Sequence, residues 1–260
     1  MTKEKIRNWL IVMLAVCFVG IRSAAAQDQR SVVSHPVEME FVRISPGEFM
    51  MGCYPEDSVC AAPERPARRV QITKAFEIGR YEVTQAQWQA VMGSNPSHFK
   101  GSGLPVEQVG WNDVHEFLEK LNARHDGFEY RLPTEAEWEF AARAFANEAM
   151  TNRLHEVAWY DANADHQPHP VGQKQPNAWG LHDMLGNVSE WVQDLFDLTY
   201  YRTGPSADPT GPATGTNRVI RGGSWAGSSQ QARVSYRVQM PPSSGNATIG
   251  FRCVRVTKVQ

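Results

Sequence analysis

The sequence predicts an α+β domain rich in irregular loop, and three observations carry that reading. Strand-like alternation appears near both ends, three helix patterns, two of them opened by capping boxes, fill the middle, and Gly, Pro, Asn and Asp punctuate the second half into short segments. Met39–Gly52 reads as two short strands around the Ser45-Pro46-Gly47 turn, and Arg69–Glu82 continues the alternation. A first helix opens at Thr84, with Gln87 completing a capping box, and stops at Gly93. A second spans about Asn112–Arg124, where Val114, Phe117, Leu118 and Leu121 share one face. The third, Pro133–Arg143, begins with the Thr134/Glu137 capping box. Beyond Ala146 only Arg218–Arg221 and Ile249–Val256 read as strands, and Ser206–Thr216 is a Pro-, Gly- and Thr-rich surface loop.

The first residues read as an export signal. Lys3, Lys5 and Arg7 precede an apolar run, Trp9–Ile21, too short to span a bilayer, and small residues at Ala24 and Ala26 place cleavage before Gln27. A lipobox ending at Cys17 is the rival reading, disfavoured by the bulk of Val16. Residues 1–26 are thus a signal peptide, 27–38 an extension and 39–260 a single domain, which places the protein in the periplasm or outside the cell. Removing four basic residues and one acidic residue from 26 and 28 leaves 22 against 27. A mildly acidic surface argues against nucleic acid or anionic membrane as the main partner, since both reward clustered Lys and Arg. A protein, a glycan or a small molecule remains.

Three cysteines remain after cleavage. The spacing of Cys53 and Cys60 favours a local disulfide, stabilising by about 2.5 kcal/mol on the chain-entropy model. Cys253 is left as a free thiol, and the alternation of Gly250–Val256 reads it as an inert core cysteine within a strand.

Seven motifs occur in order: PGEFMMG at Pro46–Gly52, YEVTQAQW at Tyr81–Trp88, PVEQVGW at Pro105–Trp111, RLPTEAEWEFAAR at Arg131–Arg143, GNVSEW at Gly186–Trp191, RGGSW at Arg221–Trp225 and GFR at Gly250–Arg252. Together they resemble the formylglycine-generating enzyme (sulfatase-modifying factor) family, over essentially the whole mature chain. The resemblance implies a variant of the C-type lectin fold. It does not fix one activity, because such relatives include sulfatase-activating oxidases, sulfoxide synthases, periplasmic siderophore-maturation proteins and members without a known reaction. Physically, Trp88, Trp111 and Trp138 read as packing residues, and Gly222-Gly223 as a backbone that side chains would obstruct.

Two ligand expectations follow. Asp183, Gly186, Val188 and Glu190 bracket a Gly-Asn turn whose hard oxygens suit calcium, and by resemblance they fall on the family's calcium positions. Asn163 and Ala164 fall on a second such site, in a segment that is shortened here. The histidines His166, His169 and His182 match no metal-binding spacing. In the family's oxidases two cysteines five residues apart follow Arg-Gly-Gly-Ser and bind copper. Those positions here are Gly227 and Ala232, which offer no thiolate. The expectation is therefore a member without the catalytic cysteine pair, which does not make formylglycine. Its candidate cleft is Arg221, Ser224, Trp225, Ser228, Ser229, Arg233 and Arg237. Two functions stay open at this point: a non-catalytic binding module, or a periplasmic oxidoreductase acting on a small molecule or siderophore precursor without copper–thiolate chemistry.

Overall fold

The computed structural model describes residues 37–54, 59–144 and 153–258. The signal peptide, Cys17 and the cleavage site lie outside the described residues. The N-terminal strands form as the alternation predicts: β1 (Phe41–Ile44), β2 (Gly47–Met51), β3 (Arg68–Ile72) and β4 (Phe76–Gly79). β2 and β3 form a two-stranded sheet, with a single bridge from Gln71 to Ala207, whereas β1 pairs with β4 in a second sheet.

Helix α1 (Gln85–Met92) has the expected capping box at Thr84, and Gly93 ends it in the left-handed region at φ 79°. Helix α2 (Trp111–Asn122) buries Val114, Phe117, Leu118 and Leu121. It leads into β5 (Phe128–Arg131), and α3 (Glu135–Arg143) follows behind its own capping box at Thr134. Two one-turn helices, α4 (Leu154–Val157) and α5 (Tyr200–Thr203), flank β6 (Ser189–Leu195). The chain ends with β7 (Arg218–Arg221), β8 (Arg237–Met240), β9 (Ile249–Gly250) and β10 (Val254–Thr257). One four-stranded sheet runs β1-β4-β10-β5 and the other β8-β7-β6-β9.

The C-terminal strand differs from the sequence expectation. Ile249–Val256 is not one strand: β9 joins β6 in one sheet and β10 joins β4 and β5 in the other, so Cys253 sits in the crossing between them. The physical cause is Arg252, fully buried, which donates to the carbonyl oxygens of Gly79 and His182 and to Glu190. A continuous strand would leave those groups unpaired. Cys253 is nevertheless a buried free thiol, and burial pushes its pKa up, so the inert reading stands.

Two large apolar clusters fill the interior, with a smaller third of Leu154, Ala158, Tyr160, Leu185 and Ala232. Of the large two, one gathers Trp138, Phe140, Phe76, Ile78 and Tyr201 and the other Trp88, Phe117, Trp191 and Phe251. Trp88 stacks on Phe117 with ring centroids 5.2 Å apart. The Trp111 and Trp191 indoles cross, each donating to a carbonyl beside the other, at Val192 (3.0 Å) and Val109 (2.9 Å). Aromatic bulk thus supplies a core that short strands could not. The Ser206–Thr216 loop is mostly exposed, but it is tied down by Asp208 to the Thr73 amide and by the Gly211 amide to the Tyr200 hydroxyl.

Candidate functional site

The candidate cleft grows from β7 and the segment after it. Gly223 has φ 75°, and a Cβ there would meet the Gln231 carbonyl oxygen at 2.7 Å, so only glycine lets the chain fold back on itself. The return brings Arg233 beside Glu64 and Arg237 beside Glu135 of α3. There the expected cleft residues divide into two groups.

Three of them are arginines locked into buried ion pairs. Arg221 is fully buried and donates to Glu139 at 2.5 Å and to the carbonyl oxygens of Val234, Ser235 and Tyr236. Arg237 forms a two-bond pair with Glu135 at 2.6 and 2.8 Å, and Arg233 one with Glu64 at 2.7 Å in both bonds. Against the burial that would raise it, hydrogen bonds from Arg233, Ser235 and the Ala61 amide hold Glu64 below the ordinary carboxyl range. Glu139 also takes Arg143 and the Gly52 amide. These guanidiniums brace the framework and do not face an open cleft.

The others lie nearer the surface. Ser228 and Trp225 are half-buried, Ser229 is exposed and Ser224 is buried. Trp225 donates its indole N–H to the Ala247 carbonyl at 2.8 Å and packs edge-on against Phe99. Gly227 and Ala232 are both buried. A groove of about 1030 Å³ lies elsewhere, lined by His115, Glu119, Arg131, Arg218 and Arg255 among others, and it includes none of the candidate cleft residues.

The expectation of a chain without the catalytic cysteine pair needs correcting in one respect. The Cys53–Cys60 disulfide that the spacing favours is formed, so the described residues do hold two cysteines side by side. It belongs to the first loop and not to the positions after Arg-Gly-Gly-Ser, yet Cys60 Sγ lies 3.6 Å from Nη1 of Arg233, the residue after Ala232.

The expected calcium turn is built around a second buried charge cluster. Gly186 has φ 79°, and a Cβ there would lie 2.1 Å from the Trp159 carbonyl oxygen. Asp183 accepts from the Gly172 amide through Oδ2, while its buried Oδ1 has no partner. Glu190 is saturated: Oε1 accepts from Nε and Nη2 of Arg252, and Oε2 from Arg252 Nε and Trp138 Nε1. Glu82, which the sequence reading passed over although it lies in the Tyr81–Trp88 motif, accepts from the Val188 amide and Asn187 Nδ2. Burial, then the charges of Asp183 and Glu190, push the Glu82 carboxyl well above its usual range, and burial likewise raises Asp183. Three buried carboxylates thus face one guanidinium. An orphaned oxygen and surplus negative charge fit a cation at Asp183, Gly186 and Val188; Glu190, with both oxygens fully engaged, does not fit as a ligand.

Asn163 and Ala164 do not fit a second cation. The Asn163 side chain bridges the Tyr160 amide and the Ala158 carbonyl, and the Ala164 carbonyl already accepts from the Gln167 amide and bonds His169 Nε2. His169 also stacks on Trp159 and His182 bonds the Lys174 carbonyl, so neither ring is a loose loop histidine; His166 is exposed.

Comparison with known proteins agrees with this architecture. Residues 28–257 match the sulfatase-modifying factor enzyme 1-like domain. The chain is 30% identical to the chaperone protein LppX of Paenibacillus barcinonensis, over 96% of this chain and 99% of that one. It is 35% identical to the formylglycine-generating enzyme of Streptomyces coelicolor over 66% of this chain, but spans only 59% of that enzyme's length. Two solved structures share the fold: Treponema denticola variable protein 1 (32% identity, TM-score 0.73, covering 82% of this chain and 94% of that one) and PvdO from Pseudomonas aeruginosa (27%, 0.74, 85% and 96%). With the α+β fold, the ordered motifs and a family match across nearly all of the domain in agreement, the chain belongs to the sulfatase-modifying factor enzyme 1-like, or formylglycine-generating enzyme, family.

Proposed function

We propose that this is an exported member of the family that does not itself make formylglycine and acts by binding. The observation that carries the reading is the chemistry of the candidate cleft. Gly227 and Ala232 stand where copper-binding thiolates are required, and Arg221, Arg233 and Arg237 are committed to buried carboxylates. Such a cleft keeps the family's scaffold without a place for a cuprous ion. A full-length relative described as a chaperone supports a role in holding another protein. A small-molecule oxidoreductase is the reading to beat. Metal analysis and oxygen uptake with a periplasmic extract decide between them: the binding reading expects neither a redox metal at stoichiometric level nor uptake above that of the extract alone, and finding either would contradict it.

Calcium belongs to the same proposal as a structural ion, held by Asp183 and the main chain of Gly186 and Val188, where it would offset the surplus carboxylate charge. Export rests on residues 1–26. Intact mass of the exported protein should give a chain starting at Gln27; a lipid-modified Cys17 start would contradict it.

A further inference from the structure

We propose that the Cys53–Cys60 disulfide is a thiol-exchange site, with Cys60 the sulfur that meets an outside thiol and Cys53 the sulfur that leaves, resolving the mixed disulfide in the reverse direction. The two sulfurs differ in access: Cys53 is 2% exposed, whereas Cys60 is half-buried. They also differ in surroundings. Arg233 Nη1 donates toward Cys60 Sγ at 3.6 Å, so a thiolate formed there has a charged hydrogen-bond donor, which it shares with the Glu64 carboxylate paired to the same nitrogen at 2.7 Å. Cys53 Sγ lies 3.2 Å from the Tyr54 carbonyl oxygen, to which a thiol, once formed, can donate.

The surroundings do not depend on the disulfide. The Cys53 amide donates to the Glu64 carbonyl at 2.9 Å, the Gly52 amide to Glu139 at 2.7 Å and the Ala61 amide to Glu64 Oε1 at 3.1 Å. Arg233 and Ser235 close on Glu64 from the other side. Both ends of the loop are therefore anchored by other bonds, so the S–S bond can open without releasing the core. A metal held by Cys53, Cys60 and Glu64 is the competing use of the same atoms, which lie within 4.8 Å of one another. It is disfavoured because both Glu64 oxygens already accept two donors and the Arg233 cation occupies the site.

The exchange balances with a dithiol as co-reactant. Its thiolate attacks Cys60 Sγ, a mixed disulfide forms and the Cys53–Cys60 bond breaks, with the electron pair leaving on Cys53, which takes a proton from water. The second thiol of the co-reactant then attacks its own sulfur in the mixed disulfide, releasing Cys60 as a thiolate beside Arg233. Two thiols become a disulfide and the protein's pair is reduced; the reverse direction reduces a substrate disulfide.

Dithiothreitol is the probe. Added to the folded protein well below its melting midpoint, it should expose Cys53 and Cys60, but not Cys253, to peptide-resolved alkylation, while a cooperative melting transition survives, lowered by at most about 10 °C. In Cys53→Ser, Cys60 should alkylate at pH 7 about threefold or more faster than in the same protein unfolded in urea, because the gain in thiolate outweighs its weaker nucleophilicity. A pair that resists dithiothreitol until the protein unfolds would overturn the proposal. So would a folded Cys60 no faster than the unfolded one.

Discussion

Two buried charge clusters brace this molecule, and they differ in completeness. Around α3, Glu135 and Glu139 meet Arg143, Arg221 and Arg237, and every bond between them is internal to the protein. Around the turn before β6, Glu82, Asp183 and Glu190 meet Arg252 alone, and Asp183 Oδ1 is left without a partner. The first cluster matches each carboxylate with guanidinium and leaves only a donor, Arg221 Nε, without a partner. The second is one that a cation would complete. The contrast marks the second cluster as the place where an added cation would act on stability.

The most direct way to break the comparison is to remove a framework charge. Arg221→Ala strips Glu139 of its shortest ion pair inside the core, and chemical denaturation should show a loss of about 3–5 kcal/mol, with or without calcium. A loss below about 1 kcal/mol would mean that water reaches the cluster. Glu190→Gln should cost less, because Arg252 loses its direct hydrogen-bonded carboxylate but keeps the charges of Glu82 and Asp183 and the Gly79 and His182 carbonyls, and it should leave the calcium response intact.

The open cluster is sharpened by calcium itself. At about a hundredfold excess over Kd, calcium should stabilise the protein by about 2.7 kcal/mol, raising Tm by roughly 5–10 °C, and a chelator should reverse the gain. Asp183→Asn should abolish that response. If the melting curve ignores both calcium and chelator, the surplus carboxylates are kept neutral and no ion is held.

A smaller effect is expected at Asp194, which lies beside the first cluster. Burial, then the charge of Glu135, pushes its carboxyl well above the usual range, and its hydrogen bond comes from the Glu135 amide. Because the folded pKa is raised, the contribution of this group is fully present below the unfolded carboxyl pKa and is lost as pH rises through the folded value. Between pH 5 and pH 8, Asp194→Asn should therefore lose less stability in urea titrations than the parent protein. Equal slopes would show that Asp194 is ionised in the fold.

Much of the fold was legible because its signals are local. The caps at Thr84 and Thr134, the Gly93 stop and the β7 strand all fall where short-range chemistry puts them. The sheet crossing at Phe251–Cys253 was not legible, since it is imposed by Arg252 reaching Glu190, 62 residues away in sequence. The same holds for the site. Asp183 and the glycine turn could be found from spacing, but a charged residue on a helix, such as Glu139, reads as solvated until its distant arginine partners are seen. That is why Arg221, Arg233 and Arg237 were expected in a cleft and stand in the framework.

The claim on which the rest depends is that this scaffold has no formylglycine-generating chemistry. The measurement is mass spectrometry of a Cys-x-Pro-x-Arg peptide after incubation with the purified protein, copper and oxygen. The account predicts an unchanged cysteine, because Gly227 and Ala232 present no thiolates to a cuprous ion. The mass loss of aldehyde formation, above a control with metal alone, would contradict it.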